Sequence, residues 1–215
     1  MDLSDEYALN QIKQKLGGSI KLRSKSRSFR YRLHHKQGML TIINLLNGNC
    51  QNSIRLRQIE KMCNHFDIPM KQPKRLTSNN GWFAGFFDGD GTIDYSFKKD
   101  YPQLTISVSN KQAIDCEIFQ KIFDGKIQYD SRLNTYKWNL YSYEQILVFQ
   151  DYVKRYPLRS HKKIRFFLLD KFFKLRKIRA YTHPPESKTY KAWLLFEKEW
   201  KEWSLPPNFI EKDTL

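Results

Sequence analysis

The tripeptides Gly18-Ser-Ile20 and Gly125-Lys-Ile127 stand 107 residues apart, and the same spacing links much of the chain. It carries the alternating segment Phe29-Arg-Tyr-Arg-Leu33 onto Tyr136-Lys-Trp-Asn-Leu140, Ser53 onto Ser160 and Arg55 onto Lys162. One spacing shared by successive elements marks an internal duplication. Local patterns describe the repeated unit. Tyr7, Leu9, Ile12 and Leu16 recur at helical spacing over 5–16 and stop at Gly17-Gly18. Residues 19–23 and 28–34 read as two strands, the second with one charged face, joined by a linker at 24–27. Residues 39–46 and 54–66 read as helices on either side of an Asn47-Gly48-Asn49 turn, followed by a linker at 69–75 rich in Pro and Lys. The second copy opens with a helix at 81–91 and strands at 92–97 and 103–109. Their counterparts fall before or at Met1, so the first copy is expected to lack an opening helix and two strands.

The charge balance names the partner. The chain carries 38 Lys and Arg against 22 Asp and Glu, a net charge of +16, and 15% of its residues are aromatic. Such a surplus repels itself in the free protein and favours encounter with phosphates. Cations and aromatic residues are interleaved throughout rather than gathered in one amphipathic stretch, which favours nucleic acid over an anionic membrane. No apolar run approaches the roughly 18 residues that span a bilayer, and the acidic start is unlike a signal or transit peptide. Cys50, Cys63 and Cys116 are odd in number and have no C-x-x-C spacing, which argues against a disulfide framework or a zinc site and makes a reducing compartment the default.

One segment carries chemistry. Residues 82–93 begin with a short apolar helix in which Ala84 and Gly85 would let another backbone approach, and end where Gly89 and Gly91 interrupt the helix around Asp88 and Asp90. Carboxylates lowered to the floor of a packed helix pair suit a phosphate-bound divalent cation. A Gly-Asp turn closing a core helix is the plainer reading of an isolated D-x-D-G. A calcium loop is excluded because no acid-rich run ending in Glu follows Asp94.

The nine residues Phe83-Ala-Gly-Phe-Phe-Asp-Gly-Asp-Gly91 resemble the LAGLIDADG motif of homing endonucleases and intron maturases, with aromatic for aliphatic residues at Phe83, Phe86 and Phe87 and Gly for Ala at Gly89. The Leu46-Asn-Gly-Asn49 turn and Tyr156-Pro-Leu-Arg-Ser160, ahead of the last long helix, are also similar to family features. The resemblance spans 5–180. It implies an α+β fold of two pseudo-symmetric αββαββα repeats forming a saddle of antiparallel sheets: a truncated first repeat at 1–70, a linker at 71–80, a complete second repeat at 81–180 and a C-terminal extension with a helix at 181–215. It further implies that Asp90 binds the metal, Mg²⁺ if the protein is catalytic. Ala84, Gly85, Asp88, Gly89 and Gly91 would serve helix packing. Arg55 and Lys162 would be the peripheral cations that steady the phosphate and water network, Lys162 the catalytic one with Lys163 an equal choice for it, and Arg55, Arg159 and Lys163 would also contact nucleic acid.

Lys21, Arg23, Arg30 and Arg32 in the first copy and Gln128, Arg132, Lys137 and Asn139 in the second lie mostly at alternate positions, as groove-facing side chains of a sheet would. Two functions of different class follow from the resemblance. One is a metal-dependent endonuclease, which needs an acid on each side of the pseudo-two-fold axis and so a second motif helix from a partner, a second subunit or a longer product. The other is a non-catalytic RNA-binding maturase or rRNA-associated factor. The family also implies an organellar gene, with a mitochondrion ranked above a chloroplast. Residues 186–203, with Trp193, Leu194, Phe196, Trp200 and Trp203, read as an amphipathic helix that covers the core, shields a bared surface or docks on a partner. His161, His183, His34 and His35 read as solvated or phosphate-contacting residues.

Overall fold

The computed structural model describes residues 1–202, so Trp203 and the remainder of the predicted tail lie outside the described residues. The first unit contains α1 (Glu6–Leu16), β1 (Ser19–Leu22), β2 (Phe29–Arg32), α2 (Lys36–Leu46) and α3 (Ser53–His65). The second opens with α4 (Trp82–Asp90), β3 (Gly91–Lys98) and β4 (Tyr101–Asn110). It continues with α5 (Ala113–Phe123), β5 (Lys126–Asp130), β6 (Thr135–Leu140), α6 (Tyr143–Arg155), α7 (Lys162–Phe167) and α8 (Leu169–Lys177), and α9 (Lys188–Glu202) follows. The architecture is α+β with antiparallel sheets.

Shifted by 107 positions, α1 falls on the bounds of α5, and β1 and β2 fall inside β5 and β6. The glycines explain why the alignment is local and physical. Gly18 and Gly125 both have positive φ, 85° and 101°. A Cβ on either would collide with a backbone carbonyl, that of Arg32 for Gly18 and that of Asn139 for Gly125. The two carbonyls are themselves 107 positions apart, so each glycine admits the same close strand approach.

β1 and β2 form a two-stranded sheet, whereas β3, β4, β6 and β5 form a four-stranded sheet in that order. Along β3 and β4, buried Ile93, Leu104, Ile106 and Val108 alternate with polar residues, so one face packs and the other stays open. The packed face meets a large aromatic core. Phe83 of α4 is fully buried, with ring centroids 4.6 Å from Phe119, 4.8 Å from Phe123 and 5.5 Å from Trp138. The first unit has only a small core of its own, Ile43, Cys50, Ile59 and Cys63. All three cysteines are buried thiols, and burial pushes those of Cys50 and Cys116 upward in pKa.

Two expectations need correction. The last long helix is interrupted at Leu168, where α7 stops and α8 starts. In α9, Trp193, Phe196 and Trp200 do join the core against Phe172 and Tyr95, but Leu194 is 45% exposed and lies off that stripe. Among the described residues no helix is long and apolar enough to cross a membrane.

Candidate functional site

The orphan N–H groups of α4 find side-chain partners. Trp82 N–H donates to Asn80 Oδ1 at 3.0 Å, and Ala84 N–H donates to the Tyr152 hydroxyl at 3.0 Å. That hydroxyl in turn donates to the Asn80 carbonyl at 2.8 Å, and burial raises its pKa. Phe83, Ala84 and Phe87 face the core, which leaves Gly85 and Gly89 on the opposite side. A Cβ on either would meet nothing within 4 Å, so within this chain neither supports a close helix contact. Together with Ala8, Gln11, Ile12 and Lys15 of α1, they line an open cleft. Ala84 is a core residue rather than a contact for another backbone. Gly91 is required by its neighbour, since a Cβ there would collide with the Phe87 ring.

The two carboxylates at the end of α4 have different fates. Asp88 accepts the N–H of Arg159 at 2.8 Å, the N–H of Ser160 at 3.0 Å and the Ser160 hydroxyl. It holds the turn that leads into α7 and has little capacity left for a ligand. Asp90 is exposed and makes no hydrogen bond or ion pair among the described residues.

Lys162 is tied to the end of α4. Its ammonium donates to the carbonyls of Phe87 at 3.0 Å, Asp88 at 2.7 Å and Gly89 at 3.3 Å. With its three donors used, the side chain caps the negative end of α4 instead of reaching outward. Burial lowers its pKa, against the opposing attraction of Asp88, Asp5 and Asp90. Arg55, at the equivalent position, is exposed and donates to Gln58 at 2.9 Å. Lys163 also lies away from the acids, beside an outer groove lined by Val153, Pro157, Leu158 and Phe167. Arg159 lines the α1–α4 cleft.

The remaining candidates gather on the sheets. Lys21 stands directly opposite Arg30 in the β1–β2 ladder, and with Arg23 and Arg32 they line one polar groove. Like charges directly opposite repel, so this face gains from a polyanion. In the four-stranded sheet Lys137, Gln128 and Asn139 line a second groove, with Asn139 only 1% exposed at its floor. Arg132 lies in the β5–β6 turn, outside that groove, where its N–H donates to Asp130 at 3.0 Å. Sequence reasoning missed Thr92, Ser96, Lys98, Thr105 and Ser107 in the same groove. Their alternation with buried apolar residues was the available signal. Asp94 also faces it, accepting the Trp200 indole N–H at 3.0 Å and pairing with Arg165 at 3.4 Å.

His35 is exposed and also serves as a cap, and the backbone of His161 is tied down. His35 Nδ1 accepts the Gly38 N–H at 2.9 Å and caps α2. His161 donates its backbone N–H to Asp5 at 2.8 Å. His183 Nε2 lies 3.3 Å from the Ile178 carbonyl.

Among the described residues no three His, Cys, Asp or Glu side chains stand together as a metal-binding group. Asp90 offers one hard oxygen donor, and the neighbouring carbonyls are occupied by Lys162. An exposed carboxylate is the kind of hard oxygen donor a divalent cation prefers, but by itself it does not make a site.

A four-stranded and a two-stranded antiparallel sheet, with an acid-tipped helix whose glycine face is open, define an α+β class of paired-sheet proteins. Residues 83–173 match the family model for LAGLIDADG endonuclease. Over these residues the chain resembles the LAGLIDADG family. It is 46% identical over 204 residues to Intron-encoded RNA maturase bI4 of Saccharomyces cerevisiae, covering 93% of this chain and 32% of that protein. It is 39% identical over 217 residues to Probable intron-encoded endonuclease aI2 of Debaryomyces hansenii, covering 93% and 33%. The chain thus spans about a third of the length of these two relatives. Meganuclease I-SmaMI bound to uncleavable DNA superposes with a TM-score of 0.69 at 16% identity, covering 92% of this chain and 84% of the other. I-GzeII in complex with its DNA target gives 0.63 at 17% identity, covering 92% and 85%. At such identities the likeness concerns the fold.

Proposed function

We propose that the chain is the nucleic-acid-binding part of an intron-encoded LAGLIDADG protein, laying a duplex across its two sheet grooves. In this reading residues 1–70 form a partial first repeat, 81–180 a complete second repeat and 181–215 an extension, joined at 71–80. The gene is organellar, with a mitochondrion as the proposed compartment. Endonuclease activity would require a second acid-tipped helix against Gly85 and Gly89, from a partner, a second subunit or a longer form of this protein.

The observation that carries this reading is the contrast between Asp88, spent on Arg159 and Ser160, and Asp90, exposed and unspent beside it. Asp90 would be the metal-binding acid, with Mg²⁺ the proposed ion and phosphate oxygens completing its shell. When bound, the ion would polarise the scissile phosphate. Asp88 and Lys162 would position the helix end that presents Asp90. With the full-length protein and Mg²⁺, Asp90→Asn should lower duplex nicking at least a hundredfold while duplex binding stays within twofold. Equal nicking by the variant would refute the assignment.

A second reading, an RNA-binding maturase without nuclease chemistry, is favoured by the 46% identity to a yeast RNA maturase over nearly the whole chain. It is preferred if the wild-type protein binds intron-containing or ribosomal RNA but cuts no duplex in Mg²⁺.

A further inference from the structure

A pocket of about 490 Å³ opens where the start of β4, the first turn of α6 and the outer side of α8 meet. None of its lining residues belongs to the two sheet grooves or to the α1–α4 cleft. Its size falls within the range of small-ligand sites. Tyr143 and Phe173 meet edge to face with centroids 4.6 Å apart. Tyr101 carries the Arg176 guanidinium 4.4 Å from its ring centroid, and the same guanidinium lies 6.0 Å from Phe173. Tyr101 and Tyr143 remain 43% and 46% exposed, a large share for rings already surrounded by aromatic partners.

The polar groups are equally unspent. Arg176 forms no side-chain hydrogen bond or ion pair among the described residues, and its Nε is buried without an acceptor. An orphaned buried donor calls for a partner that the protein does not provide. Lys174 and Lys177 add two further cations, and Asp170 is the one acid in the lining. Aromatic faces accept any base by stacking, while guanidinium and ammonium groups hold phosphate. An intact duplex presents no free base face to such a pocket; an unpaired nucleotide presents both a base and a phosphate. The pocket also adjoins one end of the four-stranded sheet groove. Lys98 pairs with Tyr101 across the β3–β4 ladder and places its ammonium 5.2 Å from the Tyr141 ring centroid.

We propose that this pocket binds an unpaired nucleotide of a single-stranded segment, with its base among Tyr101, Tyr143 and Phe173 and its phosphate on Lys174, Arg176 and Lys177. It is a second nucleic-acid site, independent of whether a duplex occupies the sheet grooves.

The test uses the full chain and fluorescence anisotropy with an unstructured ten-nucleotide RNA, the DNA of the same sequence and a blunt duplex. Wild type is compared with Tyr143→Ala, which removes an exposed ring, and with Lys177→Glu, both checked for folding by circular dichroism. Each variant should weaken single-strand binding at least tenfold and leave duplex binding within twofold. Loss on RNA alone assigns the site to RNA, and equal loss on both strands assigns it to single strands generally. Single-strand affinity unchanged within twofold in both variants would overturn the proposal.

Discussion

Ser53 and Ser160 occupy equivalent positions, each at the start of the helical segment that closes its unit, but their carboxylates come from different places. Ser160 is held by Asp88, from the acid-tipped helix of its own unit. Ser53 is held by Asp115 of α5, in the other unit, which accepts its N–H at 2.7 Å and its hydroxyl at 3.0 Å. Asn52 donates to the same carboxylate at 3.1 Å. The reverse exchange also exists, since Asp5, just ahead of α1, accepts the N–H of His161. A helix start has orphan donors that must be met. Here the first unit meets them by borrowing across the boundary, which couples the two units through buried Asp115.

The same contrast governs the cores and the lysine cap, and mutations can sharpen or break it. Phe83→Ala should cost about 3–5 kcal/mol by opening the aromatic core. Ile43→Ala, in the small core, should cost about 2–4 kcal/mol. If the crossed caps couple the units, both variants unfold in a single denaturant transition; a separate early transition in Ile43→Ala would break that claim. Lys162→Met should cost about 2–3 kcal/mol, because it leaves the last carbonyls of α4 without their charged donor. Arg55→Met should stay within about 0.5 kcal/mol, as expected of an exposed side chain. Equal losses in chemical denaturation would mean that the cap at α4 contributes little.

These contrasts also explain what could be read from residues alone. The duplication was legible because Gly18 and Gly125 solve the same local problem, a close strand approach at positive φ. The acid-tipped helix was legible because its residues are consecutive. Lys162 was not, because its role depends on where the end of a helix some 75 residues earlier comes to rest. The partnership of Asp115 with Ser53 likewise joins residues 62 positions apart. His35 caps α2 through a local bond to Gly38, and α7 stops at Leu168; hydrophobic periodicity encodes neither.

The two sheets divide the proposed work of binding. The β1–β2 groove is crowded with Lys21, Arg23, Arg30 and Arg32, suited to phosphates. The larger groove offers Thr92, Thr105 and Gln128, neutral donors and acceptors suited to base edges, beside Lys98, Lys137 and Asp94. The salt dependence of binding to a pool of random duplexes, for wild type and for Arg30→Gln/Arg32→Gln, tests this division most directly. Two lost phosphate contacts should reduce the slope of log affinity against log salt by about 2, while the sequences selected from the pool stay the same. An unchanged slope with an altered selected sequence would contradict the account.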